Sequence, residues 1–75
     1  MLRFYIKSLN PRGHIEACSF ISYYLAEIID SEIYNKDSHF YGMFHVSGTE
    51  YLFEALSQFS SNIIIELPPE RTIRN

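Results

Sequence analysis

The hydrophobic period of this chain switches twice from alternation to a helical repeat, and this double switch limits the possible folds more than any other feature. Apolar and polar side chains alternate over residues 2–9, which is the period of a half-buried strand. A helical repeat follows, and residues 39–46 alternate again before a second helical repeat. Because a short strand closes each half, the predicted order is β-α-β-β-α-β.

This order predicts an α+β, ferredoxin-like fold, in which two helices cover one face of a four-stranded antiparallel sheet. Right-handed crossovers would place the first and third strands at the centre of the sheet. The 75 residues support one core, because a chain this short buries only about 60% of its unfolded surface. We therefore predict a single domain over residues 1–69 and a loose C-terminal tail over residues 70–75.

The first helix is predicted to begin at the Asn10-Pro11 pair, since Asn caps helices and Pro suits a first helical position. Its helical repeat continues to about Asp30, and one side of it is apolar. That side is predicted to pack inward, and its members are Ile15, Cys18, Ile21, Leu25, Ile28 and Ile29. A short strand over residues 31–36 should follow, with a hairpin turn at residues 35–38.

The second helix is predicted from the spacing of Ser47 and Glu50, which is that of a capping box. Its buried stripe should contain Leu52, Leu56 and Phe59. The last strand, residues 63–67, is β-branched and ends at two prolines, which cannot donate to a ladder.

No residue pattern in the chain predicts catalysis, a metal site or a cofactor. His39 and His45 lie six residues apart on one predicted strand, about 20 Å at ~3.3 Å per residue, so they cannot share an ion. Cys18 falls on the apolar stripe, where burial suppresses thiol reactivity. Gly13 and Gly48 are interpreted as turn residues and Gly42 as a close-packing position. We expect a protein that is not an enzyme.

A row of aromatic and acidic side chains falls on the side of the first helix that should face solvent. Exposed aromatic rings among charges are typical of protein-interaction hot spots. The predicted partner is another protein with a basic surface, unless a loop or the tail covers the aromatic rings. The predicted partner-binding residues are Glu16, Phe20, Tyr23, Glu27 and Asp30.

The outer face of the sheet is the second predicted surface. Tyr5 and Tyr41 are expected as neighbours on the two central strands, with Met43 on the same face, and this face suits self-association as a homodimer. It also resembles the face on which RNA-recognition motifs stack bases. A net charge of −3 opposes binding to phosphate backbones, so nucleic acid is the weaker alternative.

The chain has one cysteine and therefore cannot form an internal disulfide, which indicates a reducing compartment. It contains no apolar segment long enough for a membrane span, and Arg3 and Lys7 interrupt what would be the apolar core of a signal peptide. We expect a cytoplasmic, free-standing chain.

The last thirty-odd residues carry a resemblance to a known family. The run Phe44-His45-Val46, the helix around Leu56 and the Pro-ended strand at residues 63–69 resemble the C-terminal extension of WYL-type transcription regulators. That extension is ferredoxin-like and serves oligomerisation and ligand sensing, so the resemblance implies the same here. The chain has neither the WYL barrel nor the helix-turn-helix of those regulators.

In size, charge and style the chain is also similar to small phage proteins that inhibit bacterial defence systems, such as anti-CRISPR proteins. This likeness implies a non-enzymatic inhibitor that occupies a partner protein's surface, which we take as the leading hypothesis. An oligomerisation module of a WYL-type regulator and an RNA-binding module are the alternatives.

Overall fold

The computed structural model describes residues 1–59 and 61–68. Two helices and four strands form within these ranges, in the predicted order. They are β1 (Leu2–Ser8), α1 (Pro11–Tyr23), β2 (Glu27–Lys36), β3 (His39–Gly48), α2 (Glu50–Phe59) and β4 (Ile63–Glu66). The predicted loose tail, residues 70–75, lies outside the described residues.

The strands form one antiparallel sheet in the order β2-β3-β1-β4. The first and third strands are therefore central, as predicted, and the α+β, ferredoxin-like fold is confirmed. β2 and β4 are the edge strands. The helix side of the sheet carries the core, which consists of Phe4, Ile6, Ala17, Ile21, Phe44, Val46, Leu52, Ala55, Leu56 and Ile63.

The start of α1 follows the prediction. Asn10 is the N-cap, and its side-chain oxygen accepts a hydrogen bond from the backbone N–H of Gly13 at 2.8 Å. Pro11 occupies the first helical turn, where its missing N–H leaves no hydrogen bond unmade.

The predicted end of α1 is wrong, because the helix stops at Tyr23 and β2 begins at Glu27. Ile28 and Ile29, expected on the buried side of the helix, are exposed residues of β2. The register of β2 against β3 shifts between Ile28 and Asp30, which identifies Ile29 as a bulge residue. No glycine or proline interrupts the helical repeat after Tyr23. The chain nevertheless leaves the helix there, because pairing with β3 along residues 27–36 stabilises the strand more than the local repeat stabilises the helix.

The inward side of α1 also differs from the prediction. Gly13, Ala17 and Ile21 are buried, whereas Ile15 and Cys18 are exposed. Gly13 lies against the Asn62 backbone and Ala17 packs in the core, so small residues face inward over the first turns of α1 and a large one, Ile21, only near its end. Gly13 is thus a helix residue, and neither Cys18 nor Leu25 is a core residue.

The hairpin between β2 and β3 is confirmed, with a turn at Asp37 and Ser38. Both residues have positive φ, 53° and 67°, which is the conformation of a type I′ turn. Lys36 and His39 form the pair that closes the turn. β2 is longer than predicted, because it pairs along nearly the whole of β3.

The predicted capping box is wrong, because Ser47 lies in β3 opposite Arg3 and α2 begins at Glu50. Glu50 therefore occupies the first turn of the helix, where its charge suits the helix dipole. Leu52 and Leu56 are fully buried, as predicted. The Phe59 side chain lies outside the described part of the structure.

Candidate protein-interaction surface

His14 lies at the contact between the start of α1 and the sheet. Its Nδ1 lies 3.1 Å from the Ser8 hydroxyl, and its ring stacks on Phe44 with a centroid distance of 4.4 Å. Burial lowers the pKa of His14 below 6.5. Ser8 is only 6% exposed on the helix side of the sheet, whereas His14 is partly exposed. The contact joins the start of α1 to the sheet.

The other two histidines lie on β3, as the sequence predicted. His45 stacks on Tyr5 with a centroid distance of 4.4 Å, and His39 is exposed beside the hairpin turn. Within residues 1–59 and 61–68, no group of three or more His, Cys, Asp or Glu side chains is placed to hold a metal ion.

The five predicted partner-binding residues do not share one helix face. Glu16, Phe20 and Tyr23 lie on α1, whereas Glu27 and Asp30 lie on β2. Phe20 is half-buried against the core, and the Glu16 carboxylate lies 3.5 Å from the side-chain amide of Asn62. Of the three on α1, Tyr23 is the exposed aromatic.

An aromatic surface nevertheless forms at the end of α1. We call it the α1 patch, and it consists of Phe20, Tyr23, Tyr24 and Leu25. The rings of Phe20 and Tyr24 stack with centroids 6.4 Å apart, and Tyr23 meets Tyr24 edge-on at 5.0 Å. The three rings, with Ser19, line a pocket of about 390 Å³. Tyr23 is 78% exposed and Leu25 is 88% exposed.

The helix end holds Leu25 in an unusual backbone conformation. The N–H of Ala26 donates to the carbonyl of Ile21 at 3.0 Å, and the N–H of Leu25 donates to the carbonyl of Ser22 at 3.1 Å. These two bonds form a Schellman motif, in which the residue at the Leu25 position is left-handed and is usually glycine. Leu25 has φ 56°, a region that costs most residues about 1–2 kcal/mol.

Leu25 and Tyr24 are the patch residues that sequence reasoning missed. Neither a glycine nor a proline marks the end of α1, so the helical repeat hid the stop. The alternation over residues 39–46 was a usable signal, because an eight-residue strand that follows a tight hairpin turn requires a partner of similar length, longer than the predicted strand over residues 31–36.

Acidic side chains form a second feature, on β2. Glu27, Asp30 and Glu32 lie opposite Ser47, His45 and Met43 of β3, residues that point to the face of the sheet away from the helices. All three carboxylates are exposed. The acidic residues Glu27 and Asp30, which were expected beside the aromatic rings on α1, therefore lie with Glu32 in a row along the edge strand β2.

The three predicted self-association residues, Tyr5, Tyr41 and Met43, lie on this same outer face. Tyr5 and Tyr41 are not neighbours, because Tyr5 pairs with His45 and Tyr41 pairs with Tyr34. Along β3, Tyr41 lies four residues from His45, the partner of Tyr5, which is about 13 Å at ~3.3 Å per residue.

The outer face has mixed charge around its aromatic rings. Lys7 and Glu66 form an ion pair at 3.2 Å, while Arg3 is exposed beside the Tyr5–His45 stack. The carboxylates of β2 share the face, so a nucleic acid laid across it would meet both signs of charge.

In the described part of the chain, neither helix has the length and apolar character needed to cross a membrane. Comparison with protein-family models, with curated proteins and with solved structures finds no match for this chain. Fold and surface thus define a small ferredoxin-like α+β domain with an exposed aromatic patch. The resemblances to WYL-type regulators and to anti-CRISPR proteins stay predictions.

Proposed function

We propose that this chain is a non-enzymatic protein-binding domain that acts by occupying the surface of a partner protein with the α1 patch. Its small size and negative charge suit a cytoplasmic inhibitor of the kind that phages and mobile elements direct against bacterial defence systems, including anti-CRISPR proteins.

Leu25 is the residue that carries this proposal. A large apolar side chain occupies a left-handed helix end where glycine would fit without strain, and it is almost fully exposed. Packing inside the domain gives no reason for leucine there. Strained, exposed groups of this kind cluster at binding sites, where a partner supplies the missing contacts.

The neighbouring rings support the same surface. Tyr23 and Tyr24 make ring contacts within the patch, and Tyr is enriched in hot spots because its large ring is ordered at a low cost in side-chain entropy. Glu27 begins β2 two residues after Leu25 and starts the acidic row. Such charges favour a partner with a basic surface, which they would steer towards the patch.

The test is quantitative capture from a host-cell lysate by the immobilised chain and matched variants. We expect Leu25→Gly to keep or raise the melting temperature, since glycine removes the strain, and yet to lose the captured protein. Tyr23→Ala should lose it too, with little change in stability. Tyr51→Ala is the control, because Tyr51 is a 73% exposed aromatic residue on α2, and it should capture as wild type does.

Equal capture by wild type, Leu25→Gly and Tyr23→Ala would overturn the assignment of the α1 patch. Loss of captured RNA with Tyr5→Ala would instead support the RNA-binding alternative, for which the Tyr5–His45 stack beside Arg3 is the favouring observation. The carboxylates Glu27, Asp30 and Glu32 on the same face oppose that alternative. An oligomerisation module of a WYL-type regulator would bind a second copy of itself and capture no other protein.

A further inference from the structure

The edge strand β2 is open on both faces. It is ten residues long and exposed at every position, and it lies at one end of the strand order. Long edge strands present a row of free N–H and C=O groups to other chains, and natural proteins usually shield them with bulges, prolines or short length. Here the bulge lies at the beginning of the strand, and the register with β3 is regular over residues 30–36.

The hairpin turn determines which backbone groups face outward. The pair that closes a two-residue turn exchanges both backbone hydrogen bonds, and such pairs alternate along antiparallel strands. Lys36, which closes the turn, therefore bonds to β3, as do Tyr34 and Glu32. The N–H and C=O groups of Asn35, Ile33 and Ser31 point to the free edge. The Ser31 N–H donates to the carboxylate of Asp30 at 2.9 Å. This bond agrees with an outward-facing amide that has no strand partner.

We propose that two copies of this chain pair antiparallel through β2, about a two-fold axis at Ile33. In this register Ile33 of each copy exchanges backbone hydrogen bonds with Ile33 of the other, and Ser31 does so with Asn35. The two four-stranded sheets join into one continuous sheet. In the dimer the Ser31 N–H donates to the Asn35 carbonyl of the second copy instead of to the Asp30 carboxylate.

The charges on the outer face select this register. Asp30 of one copy lies opposite Lys36 of the other, twice in the dimer, and Glu32 lies opposite Tyr34. Facing side chains must lie on the same face, so the axis can move only in whole-residue steps. An axis at Ser31 places Asp30 opposite Glu32, and an axis at Glu32 places two Glu32 carboxylates together, and both arrangements are repulsive.

An axis at Tyr34 is also free of repulsion, because it pairs Glu32 with Lys36. It aligns only residues 32–36 of each strand, however, whereas the axis at Ile33 aligns residues 30–36. The axis at Ile33 also brings together two Ile33 side chains on the helix side. Each of them is 64% exposed in the single chain, so their contact removes apolar surface from water.

This dimer stands apart from partner binding by the α1 patch, since it uses residues 30–36 and leaves Tyr23 and Leu25 free. The two surfaces can therefore be tested separately.

The test uses two charge variants, Asp30→Lys and Lys36→Asp, measured by analytical ultracentrifugation of the full chain. Each variant alone places like charges opposite each other twice per dimer, and we expect the dimer Kd to rise about ten-fold or more. An equal mixture of the two variants restores both opposite-charge pairs. It should therefore form a heterodimer with a Kd close to that of wild type, and the double variant should form a homodimer.

Glu54→Lys is the control for the change in net charge, because Glu54 is exposed on α2, away from β2. It should leave the dimer unchanged, and circular dichroism should show wild-type folding for every variant. A wild-type chain that stays monomeric at millimolar concentration would overturn the dimer. So would a dimer that both variants leave intact, or one that Tyr5→Ala with Tyr41→Ala dissociates. A mixture that stays as monomeric as its components would overturn the register.

Discussion

At the level of single residues, the contact between His14 and Gly42 shows how the absence of a side chain at one position makes room for the side chain of another residue. A Cβ at Gly42 would lie 2.5 Å from His14 Nδ1 and 3.0 Å from the Phe40 ring. The glycine therefore leaves the space in which the imidazole stacks on Phe44. The sequence interpretation of Gly42 as a close-packing position is confirmed, although the partner was not predictable because it lies on another element.

His14 should make the stability of the domain sensitive to mild acid. Burial lowers its pKa below 6.5 in the folded state, so the unfolded chain binds a proton more readily. The contribution of His14 packing to the free energy of unfolding should therefore be complete above about pH 6.5 and be lost as the pH falls below that value, because the imidazole of the unfolded chain then gains its proton before that of the folded chain does. Urea unfolding at pH 7.5 and pH 5.5 measures this loss.

His14→Gln should be less stable at pH 7.5, because the ring stack is lost, but should lose less stability between the two pH values. His39→Gln is the control, since His39 is exposed at the hairpin, and it should keep the acid sensitivity of the wild type. The same pH dependence in His14→Gln as in wild type would show that other groups cause it.

At the level of elements, the start of α1 is joined to the chain just before β4. The N–H of Leu9 donates to the backbone carbonyl of Asn62 at 2.9 Å, and the side-chain amide of Asn10 donates to the side-chain oxygen of Asn62 at 3.2 Å. Gly13 lies against the same Asn62 backbone. One asparagine therefore fixes the distance between α1 and β4.

Gly13→Ala should destabilise the domain, although alanine is ordinarily the better helix former by about 1 kcal/mol. The new Cβ would overlap the Asn62 carbonyl oxygen, which is backbone and cannot turn aside, and overpacking of this kind costs about 1–3 kcal/mol. Chemical denaturation measures the difference. Ser22→Ala on the exposed side of α1 is the control and should change little, and a Gly13→Ala domain as stable as wild type would contradict the close contact.

The sequence predicted the elements whose period is clear and missed those that depend on distant contacts. Alternation fixed β1 and β3, and the stripe of Leu52 and Leu56 was correct. The end of α1 was not predictable from local period, because Leu25 takes a left-handed conformation that leucine rarely adopts. A first helix that continues to Asp30 leaves only residues 31–36 for β2, which is why the predicted strand is too short.

At the level of the whole molecule, that single error also displaced the predicted site. A helix continued to Asp30 gathers acids and aromatics on one face, whereas the true chain reverses after Tyr24 and puts Glu27 and Asp30 on an edge strand. The order of the strands in the sheet survived, because crossover handedness depends on the succession of elements and not on their exact ends. Surface predictions are more fragile than topology for this reason.

The whole domain depends on one small core, so Leu56→Ala should be costly. Leu56 is fully buried on α2 beside Leu52 and the sheet, and Leu→Ala changes at such sites cost ~2–5 kcal/mol. A domain this small has a total stability on the order of 5 kcal/mol. We therefore expect a variant that is substantially unfolded at 37 °C, as measured by circular dichroism and thermal melting.

Ser57→Ala is the matched control, because Ser57 is the next residue on α2 and its hydroxyl is exposed. That hydroxyl donates a hydrogen bond to the Phe53 carbonyl of the same helix at 3.0 Å. It should melt close to wild type. A Leu56→Ala melting temperature within a few degrees of wild type would mean that α2 does not pack on the sheet as described. Since pairing through β2, as proposed above, would stabilise only the folded state, the unfolded fraction of Leu56→Ala should fall as protein concentration rises.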